Sequence, residues 1–180
     1  MTMSVDELIA KLDAGEDLED ESFAGMDLTE VDLTGRDLAG LHFAKAIFIC
    51  AELAGARFAD CDLTDAQFIE ANIADCDFTE AEAPGADFTN TAGDAATFVG
   101  ANLRTAVLVM ASLVDCDFTD ADLSGADLTT AALNGAEFSS ADLTGVNLMG
   151  ADLTDATMAD AVLDDANLDS VIGYEGDDDI

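Results

Sequence analysis

The chain has 180 residues, half of them apolar, and a formal net charge of −35 from 40 acidic and five basic residues. That apolar content suffices for one folded domain and argues against disorder. A surface of this charge repels DNA, RNA and anionic membranes, so we expect no direct nucleic-acid binding and favour basic proteins as partners. With no signal-peptide pattern and no apolar run near about 18 residues, the sequence predicts a cytoplasmic protein without a membrane span.

The first predicted element is a short helix over residues 4–14. Ser4 and Glu7 have the spacing of a capping box, apolar residues follow at helical intervals, and Gly15 is a stop signal. We therefore assign residues 1–15 to a capping helix at the start of the domain that follows.

From residue 16 onward the chain repeats every five residues. Every fifth residue from Leu18 to Leu168 gives 31 positions, which we term centres; 17 of them are Leu and ten are Phe. The position two before a centre is mostly Ala, and the position just before it is often Asp or Asn. A period of five fits neither an α-helix nor a strand. A chain that turns a corner every five residues, however, buries the centre and the small residue inside a square coil.

A square coil implies a second period of twenty residues. Two series of Phe follow this spacing, one from Phe58 to Phe138 and one from Phe48 to Phe88. We therefore predict columns of stacked rings inside the tube. At about 4.8 Å per coil, nearly eight coils form a rod roughly 37 Å long.

The repeat motif closely resembles that of the pentapeptide repeat family: Ala, then Asp or Asn, then Leu or Phe, then two variable residues. A clear copy is Ala121-Asp122-Leu123-Ser124-Gly125, and the resemblance covers roughly residues 16–170. It implies an all-β fold, a right-handed quadrilateral β-helix of about eight coils. Several family members are DNA mimics that occupy the DNA-binding saddle of type II topoisomerases such as gyrase and protect it from quinolones. The resemblance makes that role a hypothesis for this chain.

Acidic residues recur in register along the repeats. Fifteen of the 40 precede a centre and twelve stand two residues after one, both outward positions in the expected fold. Several would align along the rod, and the candidate acidic ladder comprises Asp60, Glu80, Asp120, Asp160, Asp62, Asp122 and Asp142. Duplex DNA carries about 22 charges over about 37 Å, fewer than this rod, which favours a DNA-like surface for a basic cleft. Two alternatives stay open, namely that the motif favours Asp and that the chain is adapted to salt.

A second candidate surface is an outward apolar stripe on the wall centred on Phe48 and Phe68. Apolar residues stand there at positions where the motif ordinarily places polar ones: Ile47, Ile49, Ile69, Val107, Val109, Met110 and Met149. An exposed apolar patch usually marks a contact surface. The alternative is that β-branched residues merely suit a strand-like wall. The stripe supports the alternative function, a structural or adaptor scaffold that docks a protein partner.

The sequence offers little for catalysis, so we expect no enzyme and no cofactor. His42 is the only histidine and stands at an outward position. Cys61, Cys76 and Cys116 occupy the small inward position and behave as substitutes for Ala. Together with Cys50 they form no CxxC pair, so neither a disulfide nor a metal site is expected.

The segment of residues 80–96 departs from the repeat. Ala83, Pro84 and Gly93 replace larger or more regular residues, which predicts a thinner core and a bend or bulged corner. The register is the same on both sides of the segment, so no residue has been inserted.

The C-terminal end is thinly capped in the sequence. We assign the repeats to residues 16–172 and an acidic tail to residues 173–180. Solenoids expose sheet edges at their ends and need caps. The bare edge therefore predicts a homodimer through the C-terminal coil.

Overall fold

The structure is a computed structural model that describes residues 3–18 and 21–174. Its helix α1 spans Val5–Ala14 and begins with the predicted capping box. The Ser4 hydroxyl accepts a hydrogen bond from the Glu7 amide at 3.2 Å, and the Glu7 carboxylate accepts one from the Ser4 amide at 2.9 Å. These bonds satisfy two of the amides that a helix start leaves without partners.

The helix ends at Gly15 and packs on the first coil. Gly15 adopts a left-handed φ of 65°, and its amide donates to the Leu12 carbonyl at 3.1 Å. Leu8 is fully buried, while Val5 and Ile9 are partly buried against the same core. The described ranges contain no helix of the length and apolarity that crossing a bilayer requires.

The remaining described chain winds into square coils of twenty residues. Parallel β-bridges join each residue before a centre to the residue twenty positions later, without a break from Ser22–His42 to Asp152–Ile172. Each bridge is isolated, and no longer strand forms in the described ranges, because the chain turns a corner after every bridge. Neighbouring coils thus pair as parallel strands do, one residue per wall.

Each repeat distributes its backbone amides in a fixed way, as the repeat centred on Phe68 shows. The Gln67 amide donates to Ala46 in the preceding coil at 2.9 Å, whereas Phe68 and Glu70 donate to the following coil at 2.6 and 3.0 Å. The Ala71 amide closes the turn by donating to the Phe68 carbonyl at 2.9 Å. Four of five amides are therefore satisfied by backbone alone.

The second residue after each centre, which we term the corner, lies in the left-handed region. All corners from Gly25 to Ser170, twenty non-glycine and ten glycine residues, have φ between 54° and 72°. Glycine adopts this conformation freely, and Asp and Asn tolerate it better than most residues. The turn geometry therefore explains the small and polar residues at these positions.

Aromatic rings on two opposite walls fill the tube and confirm the predicted columns. Phe58 and Phe78 stack at 5.1 Å with a 6° angle between their planes, and Phe68 and Phe88 stack at 4.8 Å with 5°. Across the tube, Phe68 meets Phe78 edge to face at 5.8 Å and 89°. Both arrangements suit the quadrupole of the aromatic ring.

The bulge expected in residues 80–96 is absent. Ala92 keeps its bridges to both neighbouring coils, and the Gly93 amide donates to the following coil at 2.8 Å. Side-chain carbons of Ile73 and Leu113 lie 2.9 and 3.0 Å from the point where a Cβ on Gly93 would stand. The coils above and below thus fill the space of the missing centre side chain, so the corner does not bulge.

The last coil is the least covered part of the core. Its inward side chains Met158, Leu163 and Leu168 are half-buried, whereas Leu153, one repeat before Met158, is only 2% exposed. Tyr174 packs partly against this end. The rest of the predicted acidic tail lies outside the described residues.

Candidate protein-binding surfaces

The acidic residue before a centre accepts a hydrogen bond from the one backbone amide in each repeat that has no backbone partner. Asp27 accepts hydrogen bonds from the Thr29 amide at 3.0 Å and the Thr29 hydroxyl at 2.6 Å, and these bonds lower the pKa of the Asp27 carboxyl. The same bond to the amide two residues later is made by Asp32, Asp37, Asp62, Asp77, Asp87, Asp117, Asp122, Asp127, Asp142 and Asp152, and by Asn72, Asn102, Asn147 and Asn167. Acids at this position therefore have a structural role that Asn fills as well.

The corner acids have no comparable role. Asp60, Glu80, Asp120 and Asp160 form one column along the rod, and all four are exposed. Their left-handed backbone suits Gly or Asn equally well, so the turn does not require a charge. Gly100 and Ser140 interrupt the column, and at Gly100 a carboxylate oxygen of Glu80 lies 2.9 Å from the point where a Cβ would stand. The longer Glu side chain thus extends the negative surface over that gap.

The predicted acidic ladder lies along one edge of the rod. Asp62, Asp122 and Asp142 are half-buried two residues after the corner column, and Asp122 and Asp142 are bridge partners in neighbouring coils. The predicted ladder missed four further acids at the same twenty-residue spacing, although the sequence analysis had counted them among the acids that precede a centre: Glu82, Asp77, Asp117 and Glu137. That spacing is the signal that could have found them. We term these eleven residues, the seven predicted and the four missed, the acidic band.

Basic residues are confined to the N-terminal part of the rod. Arg57 contacts Asp77 at 3.4 Å, and Arg104 contacts Asp122 at 3.0 Å. The sequence has no Lys or Arg after Arg104, while residues 105–174 contain thirteen acids. These span about 17 Å at about 4.8 Å per coil, or one charge per about 1.3 Å, denser than the one per about 1.7 Å of duplex DNA. The C-terminal half of the rod therefore combines a charge density above that of DNA with an absence of Lys and Arg.

The predicted apolar residues share the wall of Phe68. This wall is half a coil away from the wall of Phe78, and the acidic band lies beside the wall of Phe78. Met110 is 56% exposed and Met149 is 44% exposed. The other members are half-buried, and we term the whole set the apolar wall: Ile47, Ile49, Ile69, Val107, Val109, Met110 and Met149. The structure thus brings each predicted set together and places the two on different sides of the rod.

Residues with reactive side chains are dispersed. His42 is exposed on an outer wall, and Cys50 is exposed at a corner. Cys61, Cys76 and Cys116 are buried, and each thiol donates to a backbone carbonyl at 3.0 Å. Burial raises the pKa of each of these thiols to about 12, which leaves them protonated. In residues 3–18 and 21–174, no group of His, Cys, Asp and Glu is arranged to hold a metal ion.

Comparison with protein families agrees with the repeat geometry. The model for pentapeptide repeats matches in eight copies, over residues 27–65, 71–108, 111–149 and 147–172. The chain belongs to the pentapeptide repeat family. Its coils form the right-handed quadrilateral β-helix of that family. No curated protein matched the sequence.

Solved pentapeptide repeat structures resemble the chain over much of its length. A trypsin-treated form of QnrB1, a plasmid-mediated fluoroquinolone resistance protein, is 23% identical over 83% of this chain and 84% of its own, with a TM-score of 0.64. Rfr23 from the cyanobacterium Cyanothece 51142 is 29% identical over 49% of this chain and 60% of its own, with a TM-score of 0.48. The QnrB1 likeness supports the shared fold.

Proposed function

We propose that this pentapeptide repeat protein is a noncatalytic, cytoplasmic binding rod whose acidic band enters a basic, DNA-binding cleft of another protein. The most concrete target is a bacterial type II topoisomerase such as DNA gyrase. The observation that carries the proposal is the corner column of Asp60, Glu80, Asp120 and Asp160. These exposed acids align along one edge, and the turn does not require them to be acidic.

The distribution of charge indicates which half of the rod makes the contact. Arg104, paired with Asp122, is the last basic residue, so the coils beyond it present carboxylates without competing cations. A cleft that binds DNA gains free energy by releasing counterions from phosphates. Closely spaced carboxylates provide a similar gain, and the interaction should weaken as salt is added.

The family resemblance suggests the target. QnrB1 is a fluoroquinolone resistance protein, and several pentapeptide repeat proteins mimic DNA toward type II topoisomerases. At 23% identity this likeness concerns the fold. The assignment of a topoisomerase to this chain therefore depends on the acidic band and on its test.

The test is a gyrase supercoiling assay with a variant that neutralises the corner column: Asp60→Asn, Glu80→Gln, Asp120→Asn and Asp160→Asn. Asn90 is already a native corner residue with φ of 58°, so amide side chains should preserve the fold. The matched control makes the same change of charge on the wall of Phe68 by Glu30→Gln, Glu70→Gln, Asp87→Asn and Asp127→Asn.

We expect the wild-type protein to inhibit supercoiling, or to protect gyrase from a quinolone, at low salt. The effect should fade with added salt, disappear in the corner variant and persist in the control. Equal loss in both variants would show that total charge acts rather than the band. No effect of the wild-type protein on gyrase at low salt would overturn this target.

A structural or adaptor scaffold is the second candidate, and the apolar wall supports it. Met110 and Met149 expose apolar surface that neither the core nor the turns require. In this role the acidity of the chain reflects the preference of the repeat motif for Asp, or adaptation to salt. A melting temperature that rises steeply with salt, together with unaltered gyrase activity, would favour the scaffold.

A homodimer through the C-terminal coil is also part of the proposal. Its support is the half-buried state of Met158, Leu163 and Leu168, which nothing in the described ranges covers fully. Sedimentation at micromolar concentration should give a dimeric mass. A monomeric mass would contradict it.

A further inference from the structure

Met110 holds an exposed apolar side chain in a backbone conformation that disfavours it. It occupies a left-handed corner with φ of 58° and is 56% exposed. Among the corners from residue 25 to residue 170, it alone carries a large apolar side chain. Bulky residues rarely adopt this φ, so the turn itself does not favour Met at this corner.

Met110 lies beside a column of outward apolar side chains. Ile49, Ile69, Val109 and Met149 occupy one outward column of the apolar wall, with polar residues in the two coils between them. The column extends over five coil intervals, or about 24 Å at about 4.8 Å each. An α-helix of about 16 residues has this length.

Acids border the apolar wall on both sides. Asp87 and Asp127 share a column with Ile47 and Val107, and Glu70 shares the corner column of Met110. None of these three acids makes an ion pair with a residue in the described ranges. Their charges are available to cations that approach the wall.

We propose that the apolar wall docks an amphipathic helix of a partner protein, with Lys or Arg along the margins of its apolar face. The apolar face of the helix lies on Ile69, Val109 and Met149, and its basic margins lie toward the bordering acids. This combination follows from charge complementarity, since an apolar strip between carboxylates selects a helix with apolar and basic faces.

A second copy of this chain is a poorer occupant of the same wall. Two rods of net charge −35 that lie side by side on this wall would repel each other along their whole length, unlike rods that meet only at their C-terminal ends. A strip about 24 Å long and about 10 Å wide matches the width of a single α-helix, which is about 10 Å.

The wall and the acidic band lie on different sides of the tube, so the rod can bind two partners at once. The proposal does not depend on the topoisomerase target. A variant that loses helix binding but still inhibits gyrase, or the reverse, would separate the helix-docking proposal from the topoisomerase proposal.

The test uses two fluorescent peptides of about 16 residues that contain only Leu and Lys in equal numbers. One has an amphipathic helical order and the other is a scrambled order with the same charge. Binding is measured by fluorescence anisotropy at moderate salt. We expect the amphipathic peptide to bind roughly tenfold more tightly than the scrambled one, because only it presents an apolar face to the wall.

The protein variants localise the binding. Ile49→Ser, Ile69→Ser and Val109→Ser together should remove the preference for the amphipathic peptide. The matched control replaces outward valines on other walls, by Val99→Ser, Val114→Ser and Val162→Ser, and should keep that preference. Ser124 and Ser139 already occupy such outward positions, so both variants should fold.

Met110→Asn separates binding from stability. It relieves the left-handed strain, so the variant should melt at a higher temperature yet bind the amphipathic peptide more weakly. Equal affinity for the two peptides would overturn the proposal. So would an unchanged preference in the variant with Ser at 49, 69 and 109.

Discussion

The carboxylate of Asp152 accepts both hydrogen bonds that Thr154 can donate, from the amide at 3.0 Å and from the hydroxyl at 2.6 Å. Thr154 and Asn134 donate to the charged form and lower the pKa of Asp152 below its ordinary value. A group whose pKa is lower in the folded state stabilises that state above its unfolded pKa, about 3.9 for Asp. The contribution is lost as the pH falls through the lower folded pKa.

We therefore expect Asp152→Asn to melt below the wild type at neutral pH, with the gap closing as the pH falls below about 4. Melting curves from pH 7 to pH 2.5 would measure this. Thr154→Val, which removes the hydroxyl donor but keeps the carboxylate, should shrink the pH-dependent gap between the Asp and Asn forms. A gap that does not change with pH would contradict the assigned pKa shift.

Phe78 stacks within one ring column and contacts the other, so its truncation should be costly. It stacks on Phe58 and Phe98 at 5.1 and 4.8 Å and meets Phe68 edge to face. Phe78→Ala should lower the free energy of unfolding by about 3–5 kcal/mol, measured by urea denaturation. Phe78→Leu should cost less than half of that, because Leu fills the same wall position at Leu38. Equal losses for Ala and Leu would show that the rings are not the main source of stability.

The corner positions allow a reciprocal pair of substitutions. Thr130 is β-branched at φ of 56°, so Thr130→Gly should raise the free energy of unfolding by about 1 kcal/mol. Gly125 has φ of 70°, and a Cβ there would meet only the Thr105 methyl at 3.6 Å. Gly125→Ala should therefore lose about 1 kcal/mol through backbone strain rather than through a clash. Changes of the same sign in both variants would contradict this account of the corners.

Gly173 lies against backbone where the described chain ends, so a side chain there should open the last coil. A Cβ would stand 2.4 Å from the Thr154 Cα and 2.5 Å from its nitrogen, which cannot move aside as a side chain can. Gly173→Ala should speed hydrogen exchange at the Leu153 amide, which donates to Ile172 at 2.8 Å. Gly145→Ala, with nothing within 4 Å of its Cβ, should leave that amide protected. Equal exchange in the two variants would count against the contact.

The five-residue period was sufficient to predict the coils and the ring columns, whereas the capping helix was predicted from Ser4, Glu7 and Gly15. A period that no single helix or strand can bury admits few folds, and the twenty-residue recurrence of Phe58, Phe78 and Phe98 placed the walls in register. The alignment of the corner acids followed from the same twenty-residue spacing. The edge-to-face contact of Phe68 with Phe78 did not, because it depends on how far the opposite walls lie apart.

Two features were less accessible from the sequence. The bulge expected near Gly93 was wrong because Ile73 and Leu113 fill its space from neighbouring coils, a response that depends on rotamers rather than on register. The cap from Asp27 to the Thr29 amide was missed, although Asp or Asn two residues before Thr or Ser is a known turn signal. Recognising it separates the acids that cap a backbone amide from the corner acids, which do not.

The unbroken register of the bridges also restricts how this protein can change in length. The side of the rod on which a residue lies is set by its position within the twenty-residue coil. Gain or loss of one pentapeptide would rotate all later residues by a quarter turn about the rod axis. It would therefore interrupt the acidic band and the apolar wall at that point. Only whole cycles can be added or removed while each face continues straight along the column.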